Sequence, residues 1–285
     1  MPDETLSLPP GSTRGLIKNG EMTRLTQPKE QSTGTPMIER ARELLGQDFL
    51  GEEAVRTMED KLRSIGVTVR FNLDNAPPAY WNEEDLAWAK DNGEMLVLGA
   101  ESMDREDVGT FDASGLHAQG GHTPVTLITF RELFRAGDPL GQANTLFYPF
   151  QSDVNDWYAQ EGFANQSHRI HLGWRFVKKD LLEGSVGKKW ADQTQLLKQY
   201  EEGLQKSGAL RNTPRRRTAT EAAYDSLLYY LNTGGRLLPY RADWTQDQSS
   251  DGNRVDVGRF GQEGVSVRHW LPNHPLPVLG VCPTR

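Results

Sequence analysis

A single cysteine, Cys282, stands in a chain of 285 residues, and that scarcity excludes several classes of protein. An internal disulfide, a CxxC metal knuckle and a thioredoxin-like redox motif all need a second cysteine. Long apolar runs are missing too: none approaches the roughly 20 residues of a membrane span. Residues 1–25 carry Asp3, Glu4, Pro9 and Pro10 where an export signal has a basic and then an apolar segment. The expected location is the cytoplasm, or a virion or cell surface reached by another route. Basic charge is scarce, with a net charge of -7. The one basic cluster, Arg215-Arg216-Arg217, reads as a solvated loop. Binding to phosphate backbones needs more, so nucleic acid is not an expected partner. No G-x-S-x-G, H-E-x-x-H, G-x-x-x-x-G-K or G-x-G-x-x-G motif occurs. No metal and no cofactor is expected.

What is present suffices for one main core. Hydrophobic residues at 36% and charged residues at 25% are the composition of a globular chain. Residues 1–35 show neither helical nor strand periodicity and read as a flexible leader. Met37, Ala41, Leu44 and Leu45, then Val55, Met58, Leu62 and Ile65, form two amphipathic helical stripes. Residues 67–73 alternate as a half-buried strand, 82–92 read as a helix capped by Asn82, and 94–99 as a buried strand. The stretch 101–121 reads as a long loop. Thr129 and Glu132 have capping-box spacing, as do Thr218 and Glu221. Residues 172–177 predict a strand and 190–204 a helix. The helix opened by Thr218 stops at Asn232-Thr233-Gly234-Gly235.

From Trp244 onward the texture changes. Val255-Asp256-Val257 and Val265-Ser266-Val267, separated by a glycine-bounded turn, predict a β-hairpin with valines inward and Asp256 and Ser266 toward water. A short buried strand at 278–281 follows. Between the framework residues lie Asn253, Arg254, Asp256, Arg259, Phe260, Ser266, Arg268, His269, Trp270, Asn273 and His274. Aromatic, Arg and Asn side chains are what binding surfaces favour, and Trp270-Leu271-Pro272 is costly to expose unless packed or bound.

The order of strand 173–177, two helices, Trp244-Thr245, Ser249-Ser250-x-Gly252, short strands and Leu279-Gly280-Val281 resembles the C-type-lectin-type fold. It resembles more narrowly the variable proteins of diversity-generating retroelements in bacteria, archaea and their viruses, over about residues 170–285. The resemblance implies an α+β chain: a leader (1–35), an N-terminal α/β part (36–165) packed on the main domain, and a C-type-lectin-like, formylglycine-generating-enzyme-like domain (166–285) whose variable region is about 244–285. It implies a non-enzymatic binder whose diversified surface meets a protein or cell-surface ligand. Adenine-directed change of AAY codons to NNY never encodes Gln, Glu, Lys, Met or Trp. Apart from Trp270, every residue of the candidate surface satisfies that restriction; Gln246, Gln248, Gln262, Glu263 and Trp270 are fixed positions or come from other codons. The competing expectation is a glycan hydrolase using Asp153, Asp156 and His168, with carboxylates beside Trp157 and Tyr158. His168 and His171 have a ligand spacing only if helical, and they adjoin a strand. Cys282 reads as a buried core thiol, and Asp251-Gly252-Asn253 as a turn.

Overall fold

The computed structural model describes residues 35–105, 122–148, 157–165 and 170–285. Within them the mixed α+β expectation holds, with seven α-helices and three sheets among the described residues. The leader lies almost wholly outside them.

The two apolar stripes form α1 (Thr35–Leu45) and α2 (Glu52–Ser64), linked through β1 (Phe49–Leu50). Val55, Met58 and Leu62 of α2 are fully buried. After β2 (Val69–Phe71), Asn82 and Asp85 exchange side-chain and backbone hydrogen bonds to open α3 (Glu83–Asp91), which is followed by β3 (Glu94–Gly99). The stretch expected to be all loop begins with β4 (Ser102–Arg105), because Met103 is drawn into the core as β4 pairs antiparallel with β2. Residues 106–121 lie outside the described ones. β5 (Thr123–Pro124) extends that sheet. The cap of α4 (Leu127–Leu133) lies three residues before the expected one: Thr126 and Thr129 form the reciprocal box, and the Thr129 hydroxyl also donates to the Pro124 carbonyl. Thr129 is thus the third residue of the helix rather than its cap.

After α5 (Gly162–Asn165) come β6 (Gly173–Lys178), α6 (Trp190–Ser207), β7 (Arg215–Arg216) and α7 (Ala219–Thr233). β8 (Ala242–Gln248), β9 (Arg254–Gly261), β10 (Gly264–Trp270), β11 (Leu279–Gly280) and β12 (Pro283–Thr284) complete the order. One sheet runs β1-β3-β6-β12-β7, with β12 antiparallel to both β6 and β7. A second runs β10-β9-β8-β11. Because β1 and β3 share the first sheet with β6, β7 and β12, residue 165 is not a boundary between compact units. Residues 33–285 form one.

α7 is the central element, opened by the expected Thr218–Glu221 box and ended by left-handed Gly234. Most of its surface is buried, as expected of a helix enclosed on all sides. Tyr224 meets Phe71 and Phe130 on the N-terminal side, and Tyr230 meets Phe260 of β9. Val255, Val257, Val265 and Val267 all join this core.

The helix also buries charge. Arg175 on β6 pairs with Asp225 at 2.9 Å, and Arg215 reaches Glu221 at 2.6 Å. Arg217 bridges Asp225 at 3.3 Å and Asp243 of β8 at 2.9 Å. The basic run expected to be solvated is therefore structural: Arg216 and Arg217 are buried. The Arg216 guanidinium donates to the Gln193 side chain and to the Trp244 and Trp190 carbonyls. A buried charge must be paired and hydrogen-bonded to be tolerated, and these partners come from strands and helices distant in sequence.

Candidate functional site

The hairpin β9–β10 presents two faces of different character. Its valines point at α7. In the register Arg268 lies opposite Asp256, Ser266 opposite Gly258 and Trp270 opposite Arg254, while Trp244 of β8 lies on the other side of Asp256. With side chains alternating along each strand, Trp244, Arg254, Asp256, Ser266, Arg268 and Trp270 share the face turned away from α7.

A bulge adds Arg259 to that face. Between the pairs Gly258–Ser266 and Gly261–Gly264, Arg259 and Phe260 stand against the single residue Val265. The extra residue reverses the alternation, so Phe260, not Arg259, continues the valine side and packs on Tyr230. Arg259 holds a left-handed backbone, φ 47°, a conformation costly for a residue with a side chain. Its charge acts on both Asp256 and Arg268. Two glycines permit the arrangement. A Cβ on Gly258 would lie 2.5 Å from the Arg241 carbonyl oxygen, and one on Gly264 2.5 Å from the Leu146 backbone. The latter closeness reflects the segment through Phe147, which bridges to Val265 and covers the hairpin edge.

The outer face holds polar groups without a hydrogen-bond partner among the described residues. Asp256 is 0% exposed, yet neither carboxylate oxygen has a hydrogen-bond partner among the described residues. The Ser266 hydroxyl, the Nε of Arg259 and of Arg268, and the Trp270 indole N–H are also without one. Burial pushes the Asp256 carboxyl up to about 7, against the downward pull of Arg259 and Arg268. Burial, with Arg268 as a like charge, lowers the Arg259 guanidinium. At the margin, Arg268 lies over the Tyr148 ring at 5.8 Å and Arg254 over Trp190 at 4.4 Å. Leu271, next to Trp270, is 63% exposed.

Not every expected surface residue belongs here. Asp256 and Ser266 were expected toward water; both are buried, Asp256 between Trp244 and Arg268 in the ladder and Ser266 opposite Gly258. Phe260 is a core residue. His269 lies on the valine side, stacked on Trp157 at 4.1 Å and sharing a hydrogen bond with Ser249. Asn253 sits in the turn, its amide donating to Asp251. Asn273 and His274 are exposed in the loop after β10, where the His274 N–H donates to the Leu271 carbonyl.

The other candidates offer less. Asp153, Asp156 and His168 lie outside the described residues. His171 is exposed and lines a cleft of about 550 Å³ with Tyr80, Trp81 and Trp174. This cleft does not include the outer face, and its arginines are committed: Arg211 to Asp85, Arg215 to Glu221, Arg175 to Asp225. Cys282 is buried as expected, and burial followed by the charge of Asp243 pushes its thiol up, away from nucleophilic use. No helix is long and apolar enough to cross a membrane, and no cluster of metal-ligating side chains occurs, among the described residues. Comparison with protein-family models, curated proteins and solved structures finds no match to the chain.

Proposed function

We propose that this chain is a non-enzymatic binding protein of the retroelement-diversified kind, and that the outer face of β8–β9–β10 meets a protein or cell-surface ligand. One observation carries the reading: a buried carboxylate with no hydrogen-bond partner among the described residues, flanked by guanidinium, hydroxyl and indole groups with hydrogen bonds still to make. Unsatisfied buried polar groups cost about 1–3 kcal/mol each, and native proteins retain few of them outside functional sites. A ligand that completes these bonds recovers the cost as affinity.

Two further features support it. Arg254, Asp256, Arg259, Ser266 and Arg268, all encodable by NNY codons, stand on the outer face, while the valines that hold the scaffold stand on the inner one. A scaffold built so changes its outer residues without disturbing its core. The chain order from β6 through two helices, a three-stranded antiparallel meander and a strand returning beside β6 supports a C-type-lectin-type scaffold. The test lies in the DNA beside the gene. A reverse transcriptase and an adenine-rich near-copy of the segment encoding about 244–285 are expected there; an intact locus with neither refutes diversification.

A further inference from the structure

We propose that the outer face of β8–β9–β10 in this chain binds an oxyanion, a carboxylate or phosphate group seated between the Arg259 and Arg268 guanidiniums beside Asp256. The proposal rests on that face being a binding surface and adds the chemistry of what it binds. Among the described residues three cations, Arg254, Arg259 and Arg268, share the face with a single carboxylate, Asp256, in a chain whose net charge is -7. The local sign is thus opposite to that of the whole molecule.

Arg254 donates to the Gln246 carbonyl and lies over Trp190, whereas the Nε of Arg259 and of Arg268 has no hydrogen-bond partner among the described residues. Elsewhere in the fold buried guanidiniums meet carboxylates at 2.9 Å, as Arg217 does with Asp243 and Arg285 with Asp85 and Glu94. Arg268 lies directly across the ladder from Asp256, a spacing of roughly 5 Å between Cβ atoms, yet among the described residues the carboxylate accepts no bond and the Nε atoms of Arg259 and Arg268 donate none. Two close guanidiniums repel in a half-buried setting. A ligand oxyanion between them relieves the repulsion and takes charge-assisted hydrogen bonds that a neutral group cannot match. The bulge that turns Arg259 outward, at the expense of a left-handed backbone, is what makes the pair. The Ser266 hydroxyl and Trp270 indole N–H are further donors on the same face.

The test is titration calorimetry of the full chain at pH 8 with two probes, inorganic phosphate and a hexaglutamate peptide. Saturable binding of at least one is expected, about tenfold weaker in Arg268→Gln and in Arg259→Gln. Asp256→Asn, which removes the competing negative charge, is expected to tighten it. Binding of phosphate alone assigns the site to phosphate groups, of the peptide alone to carboxylates of an acidic segment, and of both to oxyanions generally. Circular dichroism shows whether each variant is folded, and the Asp256→Asn gain does not depend on either arginine variant folding. No saturable binding by either probe, or folded arginine variants that bind as the parent does, overturns the proposal. A template repeat beside the gene with no probe binding leaves the binder reading standing and removes the oxyanion; probe binding with no such repeat does the reverse.

Discussion

Asp256 makes the strongest residue-scale prediction, because its burial has a pH signature. The folded chain keeps this proton up to about pH 7, whereas an unfolded chain releases it near pH 4. Between those limits raising the pH favours unfolding, by up to about 4 kcal/mol. Urea unfolding midpoints from pH 4 to 8 should fall in the parent, and Asp256→Asn should flatten the profile. Glu221 behaves oppositely. Against its burial, Arg175 and then Arg215 hold its carboxyl down to about 2. Its contribution to stability is present above about pH 4.5 and is lost as the pH falls toward 2, so Glu221→Gln should weaken the dependence in that lower window alone. Phe260 is expected to act as core despite its place among recognition residues: Phe260→Ala should cost about 3–5 kcal/mol, whereas Asn273→Ala should change stability little.

At the scale of elements, the hairpin shows both what the sequence reveals and what it conceals. Val255, Val257, Val265 and Val267 recur with period two, so the strands and their inward face were legible. The bulge was not, since alternation carried on past Gly258 would place Arg259 inward and Phe260 outward. The spacing Val255, Val257, Phe260 held the signal, an apolar residue one place late just after a glycine. Gly264 then discriminates directly. Gly264→Ala forces a Cβ against backbone at a positive φ and should cost more than about 1 kcal/mol. Gly261→Ala, whose Cβ would find nothing nearer than 3.8 Å, should be close to neutral by the same denaturation measurement. Caps were legible where a side chain bonds its own helix, as at Asn82 and Thr218, and misplaced at α4, where a second threonine rather than a glutamate completes the box.

For the whole molecule, the features that escaped sequence reading are those made by residues far apart in the chain. Arg215-Arg216-Arg217 looks solvated because no acid adjoins it; its partners arrive on α6, α7 and β8. The acids Glu221 and Asp225, one turn apart on an otherwise apolar helix, were the available hint of a buried ion network. Arg217→Met should therefore cost about 3–5 kcal/mol, since it strands buried carboxylates, and a shift in the urea midpoint measures it. The merging of β1 and β3 with β6, β7 and β12 into one sheet was likewise invisible, because the β3–β6 pairing joins residues as far apart as Glu94 and Lys178 and leaves no local pattern. This shared core anchors β8–β9–β10 and leaves its outer face free to carry unsatisfied groups. The most direct test of that face as the ligand-binding surface is position-resolved variation among copies of this gene in one population. Differences are predicted at residues 254, 256, 259, 266 and 268, with Val255, Val257, Gly258, Phe260, Val265 and Val267 unchanged; differences falling on the valine side as often as on the outer side would contradict it.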